Sequence, residues 1–425
     1  MRCRVLVVGA GPAGAELCRI LARAGIAVVL AERLADLRLA AFSSAAVPLE
    51  ALDRFGLPAS VVAARWRGWE LAGPGEQRRR WVAETPLGAV LDFGSLRQWL
   101  VEEARSWGAQ VLLGHRALGF EARGDQLHTT LQAADGSRRQ VASDWLIDAS
   151  GQARALLGDP PSSGSRHGLV SGVGLEWLIR LPREQWQPWS ERLLFALGSG
   201  WVSQGYGWVF PMQRPCLKVG VCRLQDPGRP QEPLGPVLHR LIGRLFPGCG
   251  SGELEVLDRH GGRIRSTVER REPHRRGRLI AVGDAVSTAN LLGGEGIRHA
   301  LTSSRVLAPL LLHTLAQESR GAGSPPPLRL ARSGGLAQSG GPASADVLAG
   351  YPLLLRRALG RRWSLSGRLA CRTWLGLHDA RADARLERLL RSLEGQPAEV
   401  LSDLLFSYRF ERYGLRALPY LLGWS

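Results

Sequence analysis

The opening run RCRVLVVGAGPAG, continuing as AELCRILARAGIAVVLAER, constrains the fold of this chain more than any other stretch. An apolar run over residues 3–8 ends at Gly9, a helical pattern follows, and IAVVLAER at 26–33 reads as a second strand, so the chain begins as a β-α-β unit. Gly9, Gly11 and Gly14 stand at the G-x-G-x-x-G spacing, and Glu32 ends the second strand. Each position has a physical reason. Gly9 makes a tight turn, Gly11 lets the backbone approach a pyrophosphate, and Gly14 allows close helix packing; the helix N-terminus then faces the phosphates and Glu32 reaches ribose hydroxyls. A glycine turn without a ligand explains the glycines but not the acid in register with them, so a dinucleotide is expected.

A second glycine-marked turn lies far along the chain in LIAVGDAVSTANLLGGEGIRHAL. An apolar strand ends in Gly283 and Asp284, whose carboxylate is placed to bond a sugar or ribityl hydroxyl. Gly293, Gly294 and Gly296 then open a helix whose free N–H groups face a ligand. Taken alone, each turn is a cap. Taken together, they suggest one long ligand spanning the interior.

Between the turns, GSLRQWLVEEARSWGA at 94–109 has helical periodicity, residues 110–149 read as an antiparallel ribbon ending in DWLIDASG, and 166–272 read as strand-rich. The stretch up to about 85 is less regular. Residues 320–346 are rich in Gly, Pro, Ser and Ala and should form a flexible insertion, and the chain from Asp346 onward is helical in pattern. The expected class is α/β (α+β): a Rossmann-like nucleotide-binding domain with a mixed central sheet, an antiparallel substrate-domain sheet and a helical C-terminus. The expected division is 1–60, 86–165 and 273–318 for the first, 61–85 and 166–272 for the second, 319–345 for the insertion and 346–425 for the helical region.

Composition narrows the function classes. No run approaches the roughly 18 apolar residues of a membrane span, and the N-terminus enters a strand directly without an export signal, so the cytoplasm is expected. Six scattered cysteines form no C-x-x-C pair, and neither a disulfide framework nor a metal site is expected. The net charge of +17 is almost wholly arginine, with Lys218 the only lysine. The arginines are dispersed and no nucleic-acid-binding pattern accompanies them, so no nucleic-acid partner is expected.

The stretch QGYGWVFP at 204–211 concentrates aromatics, and period-two geometry turns Tyr206, Trp208 and Phe210 to one face of a strand. With both glycine turns, this run resembles the geranylgeranyl reductase family of FAD-dependent oxidoreductases, within the p-hydroxybenzoate hydroxylase-like flavoprotein group, over about residues 1–318. The resemblance implies that Gly9, Gly11, Pro12, Ala13, Gly14, Glu32 and Arg33 hold the ADP half of FAD. It implies that Arg97 contacts the pyrophosphate, that Asp148 and Gly151 of LIDASG lie near the cofactor, and that Gly283, Asp284, Gly294, Glu295, Gly296 and Ile297 bind ribityl and flavin. YGWVFP is similar to the family's Tyr-x-Trp-x-Phe-Pro signature, which implies that Tyr206, Trp208, Phe210 and Pro211 line a substrate pocket. The sequence departs from the family where Cys222 replaces a glycine and AFSSAAVPLE replaces an early Pro-Cys-Gly-Gly. Cys222 alone in an apolar strand reads as packing.

The function implied is hydride transfer from flavin N5 to carbon–carbon double bonds of an isoprenoid or other lipophilic small molecule, with NAD(P)H or ferredoxin as electron donor. The alternatives are an FAD-dependent monooxygenase and a non-redox, lycopene-cyclase-like flavoprotein. The aromatic, arginine-rich tail FSYRFERYGLRALPYLLGWS suits either a helix packed on the core or peripheral contact with a membrane surface.

Overall fold

The strand Arg2–Val8 is buried over nearly its whole length, as a central parallel strand covered on both faces must be. A computed structural model describes residues 1–39, 43–159, 169–247, 254–267, 272–322 and 346–411. In it, Arg2–Val8 lies between Val28–Ala31 and Arg138–Asp148, both parallel to it. Gln110–Leu112 extends the sheet beyond Val28–Ala31, and Leu279–Ala281 extends it beyond Arg138–Asp148. The outer part of Arg138–Asp148 pairs antiparallel with Gln126–Ala133, which pairs with His115–Arg123. Arg275–Arg276, antiparallel to Leu279–Ala281, is the eighth strand, and the sheet is mixed chiefly because one long strand serves both the parallel centre and the antiparallel ribbon. The helices Pro12–Arg23, Phe93–Ser106 and Ile297–Ala322 pack together beside it. Proline starts the first and Arg23 ends it, each at the terminus that suits it.

A second sheet runs Glu255–Ser266, Val170–Arg180, Cys216–Leu224, Gly205–Pro211, Arg192–Leu197, Gly68–Ala72 and Arg78–Val82. Its pairs are antiparallel except Arg192–Leu197 with Gly68–Ala72. A small sheet of Ala46–Pro48, Gly88–Leu91 and Val62–Trp66 stands beside them.

Three segments differ from the sequence reading. The irregular stretch before residue 85 contains four strands and the helix Glu50–Phe55. Its apolar pattern is broken by Glu70, which is fully buried and ion-paired to Arg192 at 2.7 Å and Arg80 at 2.9 Å, compensation from elsewhere that local periodicity does not show. Within the strand-rich region, Leu234–Leu245 is a helix burying Val237, Leu238, Leu241 and Leu245 on one stripe. The helix from Ile297 runs to Ala322, into the segment read as an insertion, while 323–345 lie outside the described residues.

The C-terminus forms the helices Tyr351–Gly376, Ala380–Ser392 and Ala398–Phe406. They clasp the Gly68–Val82 edge of the second sheet. Trp81 Nε1 donates to the Leu393 carbonyl at 3.1 Å, Trp69 Nε1 to Ser402 Oγ at 3.0 Å, and Arg79 pairs with Glu387 and Glu394, each at 2.5 Å. No helix among the described residues is long and apolar enough to cross a membrane. Most of the aromatic tail, 412–425, lies outside the described residues.

Candidate functional site

The first glycine turn is fixed by close backbone approach. Gly9 has φ +108°, and a Cβ there would stand 2.3 Å from the Ala149 carbonyl oxygen; one on Gly14 would stand 2.0 Å from the Gly9 oxygen. Strand, turn and helix therefore interlock only with these residues lacking side chains. Gly11 differs, because a Cβ on it meets nothing within 4 Å. It caps the Pro12–Arg23 helix without a side-chain hydrogen bond, so no capping side chain stands at this helix N-terminus. Glu32, buried at the end of its strand, accepts from Ala10 N at 2.7 Å and Leu34 N at 3.0 Å, and each oxygen keeps further acceptor capacity. Arg33 beside it is exposed.

The other residues expected around this turn divide by what their side chains do. Arg97 is buried; its Nη2 donates to the Leu37 carbonyl and, at 2.7 Å, to that of Leu39, and its Nε has no partner among the described residues. Burial lowers its pKa despite Glu32 and Asp36 nearby. Asp148 is engaged inward: one oxygen accepts from Ser150 N and Oγ, the other from Leu156 and Leu157 N at 2.9 and 2.8 Å. Its carboxylate thus shapes the loop through Gly151 that lies against Gly9.

At the second turn, Asp284 accepts from Thr288 Oγ1 at 2.9 Å and Ala289 N at 3.1 Å. Burial raises its pKa against those bonds and the more distant Arg154. Gly283 N donates to Ser303 Oγ at 2.9 Å, and Arg154, which sequence reading passed over, donates to the Ala285 carbonyl and Ser287 Oγ, both at 2.6 Å. In Gly294-Glu295-Gly296 the acid turns toward the C-terminal elements. Its oxygens accept from Arg298 at 2.6 and 2.9 Å and from the Tyr408 hydroxyl at 2.9 Å.

One cavity of about 240 Å³ joins these parts: Pro12 from the first turn, Asp284, Gly293, Gly294, Gly296 and Ile297 from the second, and Tyr206, Trp208 and Phe210 from the aromatic strand. Pro211 ends that strand, paired with Leu217. Trp208 lies across Gly220 of the neighbouring strand, where a Cβ would come within 2.2 Å of the indole. Its Nε1 donates at 3.0 Å to Glu176, one strand farther on. Cys222 faces Tyr206 across the strands, and burial pushes its thiol up to about 12, so it is not a thiolate at neutral pH.

Glu176 carries a testable consequence. Burial raises its carboxyl pKa, opposed by Lys218, the Trp208 hydrogen bond and His260. A carboxyl raised by folding stabilises fully below its unfolded value and loses that contribution as pH rises through the folded one. Glu176→Gln should therefore hold or raise the urea midpoint at neutral pH while keeping an acceptor for Trp208. Glu176→Ala should cost about 1–3 kcal/mol by stranding the indole N–H. Equal midpoints for the two variants would contradict this account. A lone acid in LEWLIR was the available sequence signal.

The residues present fit FAD on three observations: open space beside Gly11 at an uncapped helix N-terminus, a buried Arg97 Nε without a partner among the described residues, and the Asp284 carboxylate at the cavity that both turns reach. The comparisons agree. The chain matches the family described as FAD binding domain over residues 2–324. It is 25% identical over 336 residues, 74% of this chain and 77% of the relative, to a digeranylgeranylglycerophospholipid reductase of Haloferax volcanii. It is 28% identical over 320 residues, 72% of this chain and 76% of the relative, to a menaquinone reductase of Mycobacterium tuberculosis. Its fold is similar to that of a geranylgeranyl bacteriochlorophyll reductase-like protein of Thermoplasma acidophilum, with a TM-score of 0.72 at 20% identity, covering 95% of this chain and 98% of the other. The chain belongs to the FAD binding domain family and, within it, to the FAD-dependent oxidoreductases related to the geranylgeranyl reductases.

Proposed function

We propose that this protein reduces a carbon–carbon double bond of an isoprenoid or other lipophilic small molecule. The observation that carries the reading is the single cavity in which both glycine turns meet the aromatic face of Gly205–Pro211. FAD, when bound, supplies the hydride from its N5. Gly9, Gly11, Pro12, Ala13 and Gly14 would hold its pyrophosphate against the helix amides, with Glu32 on the ribose and Arg97 supplying charge; Gly283, Asp284, Gly294, Gly296 and Ile297 would face the ribityl and ring system. Arg33, exposed beside Glu32, would face the ADP half, while Asp148, Gly151 and Glu295 act here through the backbone they shape.

Tyr206, Trp208 and Phe210, each less than 8% exposed, form an apolar wall that excludes water from the reacting carbons. The Tyr206 hydroxyl lies 3.4 Å from where a Cβ on Gly294 would stand, so the wall touches the second turn. The names of the two relatives, one reducing a prenylated lipid and the other a prenylated quinone, support a substrate with a polar or conjugated head and a hydrocarbon tail. NAD(P)H or ferredoxin would supply the electrons.

The test is anaerobic mixing of the reduced holoprotein with geranylgeranyl diphosphate and menaquinone, followed by mass spectrometry. Flavin reoxidation with a gain of two hydrogens is expected, retained in menaquinone after air has reoxidised any quinol, so that the gain lies in the prenyl tail. A flavin that stays reduced with every prenyl substrate would sink the reading, and gain of one oxygen in an aerobic arm would move the chemistry to hydroxylation.

A further inference from the structure

A second cavity of about 180 Å³ lies behind the first, between the aromatic sheet and the C-terminal helices. Its walls are leucines of those helices, among them Leu386, Leu389, Leu401 and Leu404, and no lining residue is charged. The first cavity, by contrast, is lined by Asp284, Arg223 and Arg263 as well as its aromatics. The two share Phe195, Tyr206, Gly293 and Trp374, so these residues stand between a polar-mouthed chamber and a hydrocarbon one.

Three rings make the partition. Phe195 and Tyr206 have centroids 5.5 Å apart, and Tyr206 and Trp374 5.1 Å. Trp374 comes from the Tyr351–Gly376 helix, and its Nε1 donates at 3.1 Å to the carbonyls of both Leu291 and Leu292, immediately before Gly293. That anchoring fixes the indole at the edge of the second glycine turn. We infer that Trp374 is a specificity-determining residue: it sets the width of the passage through which a substrate's hydrocarbon tail leaves the first cavity for the second, and so decides which tail lengths bind. The inference rests on the proposed substrate class, a head with a long apolar tail, and adds to it where the tail goes and what limits it. The leucine chamber has the chemistry to receive such a tail, because each methylene moved from water into it gains affinity about fourfold.

Binding of saturated alkan-1-ols of increasing length to the oxidised holoprotein, read by calorimetry, tests this without catalysis. In the wild type, affinity should rise with each methylene until the chain reaches the ring partition and then rise less steeply. Trp374→Leu should remove that break and bind the longest chains about fifteenfold tighter, the equivalent of about two further methylenes. Trp374→Phe, which keeps a ring but loses the indole hydrogen bonds, should keep the wild-type profile, separating width from loop anchoring. Leu389→Trp, a change inside the second cavity, should weaken long chains about tenfold and leave short ones unchanged, and it decides the question should Trp374→Leu not fold. Superimposable length profiles for wild type and either cavity variant would overturn the inference. Absence of turnover with normal length dependence of binding would instead count against the proposed reduction alone.

Discussion

Gly11→Ala should leave the protein folded and empty of flavin. A Cβ at Gly11 meets no heavy atom within 4 Å, and its φ of −71° and ψ of 176° are open to any residue. The added Cβ strikes nothing among the described residues, so what it obstructs is a group arriving from outside at the helix N-terminus. A methyl group there pushes a pyrophosphate away from the N–H groups that would hold it. Displacement of a charged group from preorganised donors is worth about 1.5–3 kcal/mol for each hydrogen bond lost, so affinity should fall by about tenfold to more than a hundredfold.

Gly14→Ala is the contrasting variant. Its Cβ would stand 2.0 Å from the Gly9 oxygen and 2.8 Å from the Ala149 Cβ, so the interlock between turn and helix is lost together with the flavin. The measurements are flavin content of the purified protein, flavin affinity of the apoprotein by fluorescence quenching, and apoprotein melting temperature. Gly11→Ala should lose the first two and retain the third, whereas Gly14→Ala should lose all three. Full flavin occupancy in Gly11→Ala would remove the first glycine turn from the cofactor site.

The contrast also shows why the turns were legible in the sequence and their neighbours were not. A positive φ at Gly9 and a backbone contact at Gly14 permit one residue type, so geometry is written locally as glycine. Strand periodicity likewise put Tyr206, Trp208 and Phe210 on one cavity wall. Glu176 and Trp374 are set by partners far away in sequence: Glu176 by an indole on a strand it does not directly adjoin, Trp374 by carbonyls before the second turn. Glu295 was legible as part of a glycine-rich turn, yet the direction of its side chain was not, because Arg298, Tyr408 and the end of the last described helix decide it.

That direction yields the largest expected stability effect. The Glu295 and Arg298 side chains are 7% and 10% exposed; Arg298 donates to both carboxylate oxygens and, through Nη2, to the Phe406 carbonyl, while Tyr408 donates to the carboxylate at 2.9 Å. His299 stacks on Tyr408 with centroids 6.1 Å apart. The glycine turn is thereby tied to the C-terminal helices through one buried carboxylate. Among the described residues, Glu295→Ala leaves buried Arg298 with only Glu50, 3.7 Å away and largely exposed, as a carboxylate partner, and breaking such a pair costs about 3–5 kcal/mol. Tyr408→Phe removes one hydrogen bond to a charged acceptor and should cost about 1.5–3 kcal/mol. Burial raises the Glu295 pKa, but His299 and Arg298, then the Arg298 and Tyr408 hydrogen bonds, outweigh it and hold the carboxyl below its usual value of 4.5. A carboxyl depressed by folding stabilises above its unfolded pKa and loses that contribution as pH falls through the folded one. The wild-type urea midpoint should therefore drop on acidification below about 4.5, and Glu295→Gln should start lower at neutral pH and show a shallower acid dependence. Hydrogen exchange should report the same break locally, with faster exchange over 398–411 in Glu295→Ala. A neutral-pH midpoint unchanged in Glu295→Ala, or an acid dependence unchanged in Glu295→Gln, would mean that the turn and the C-terminal helices are held together by their apolar contacts alone.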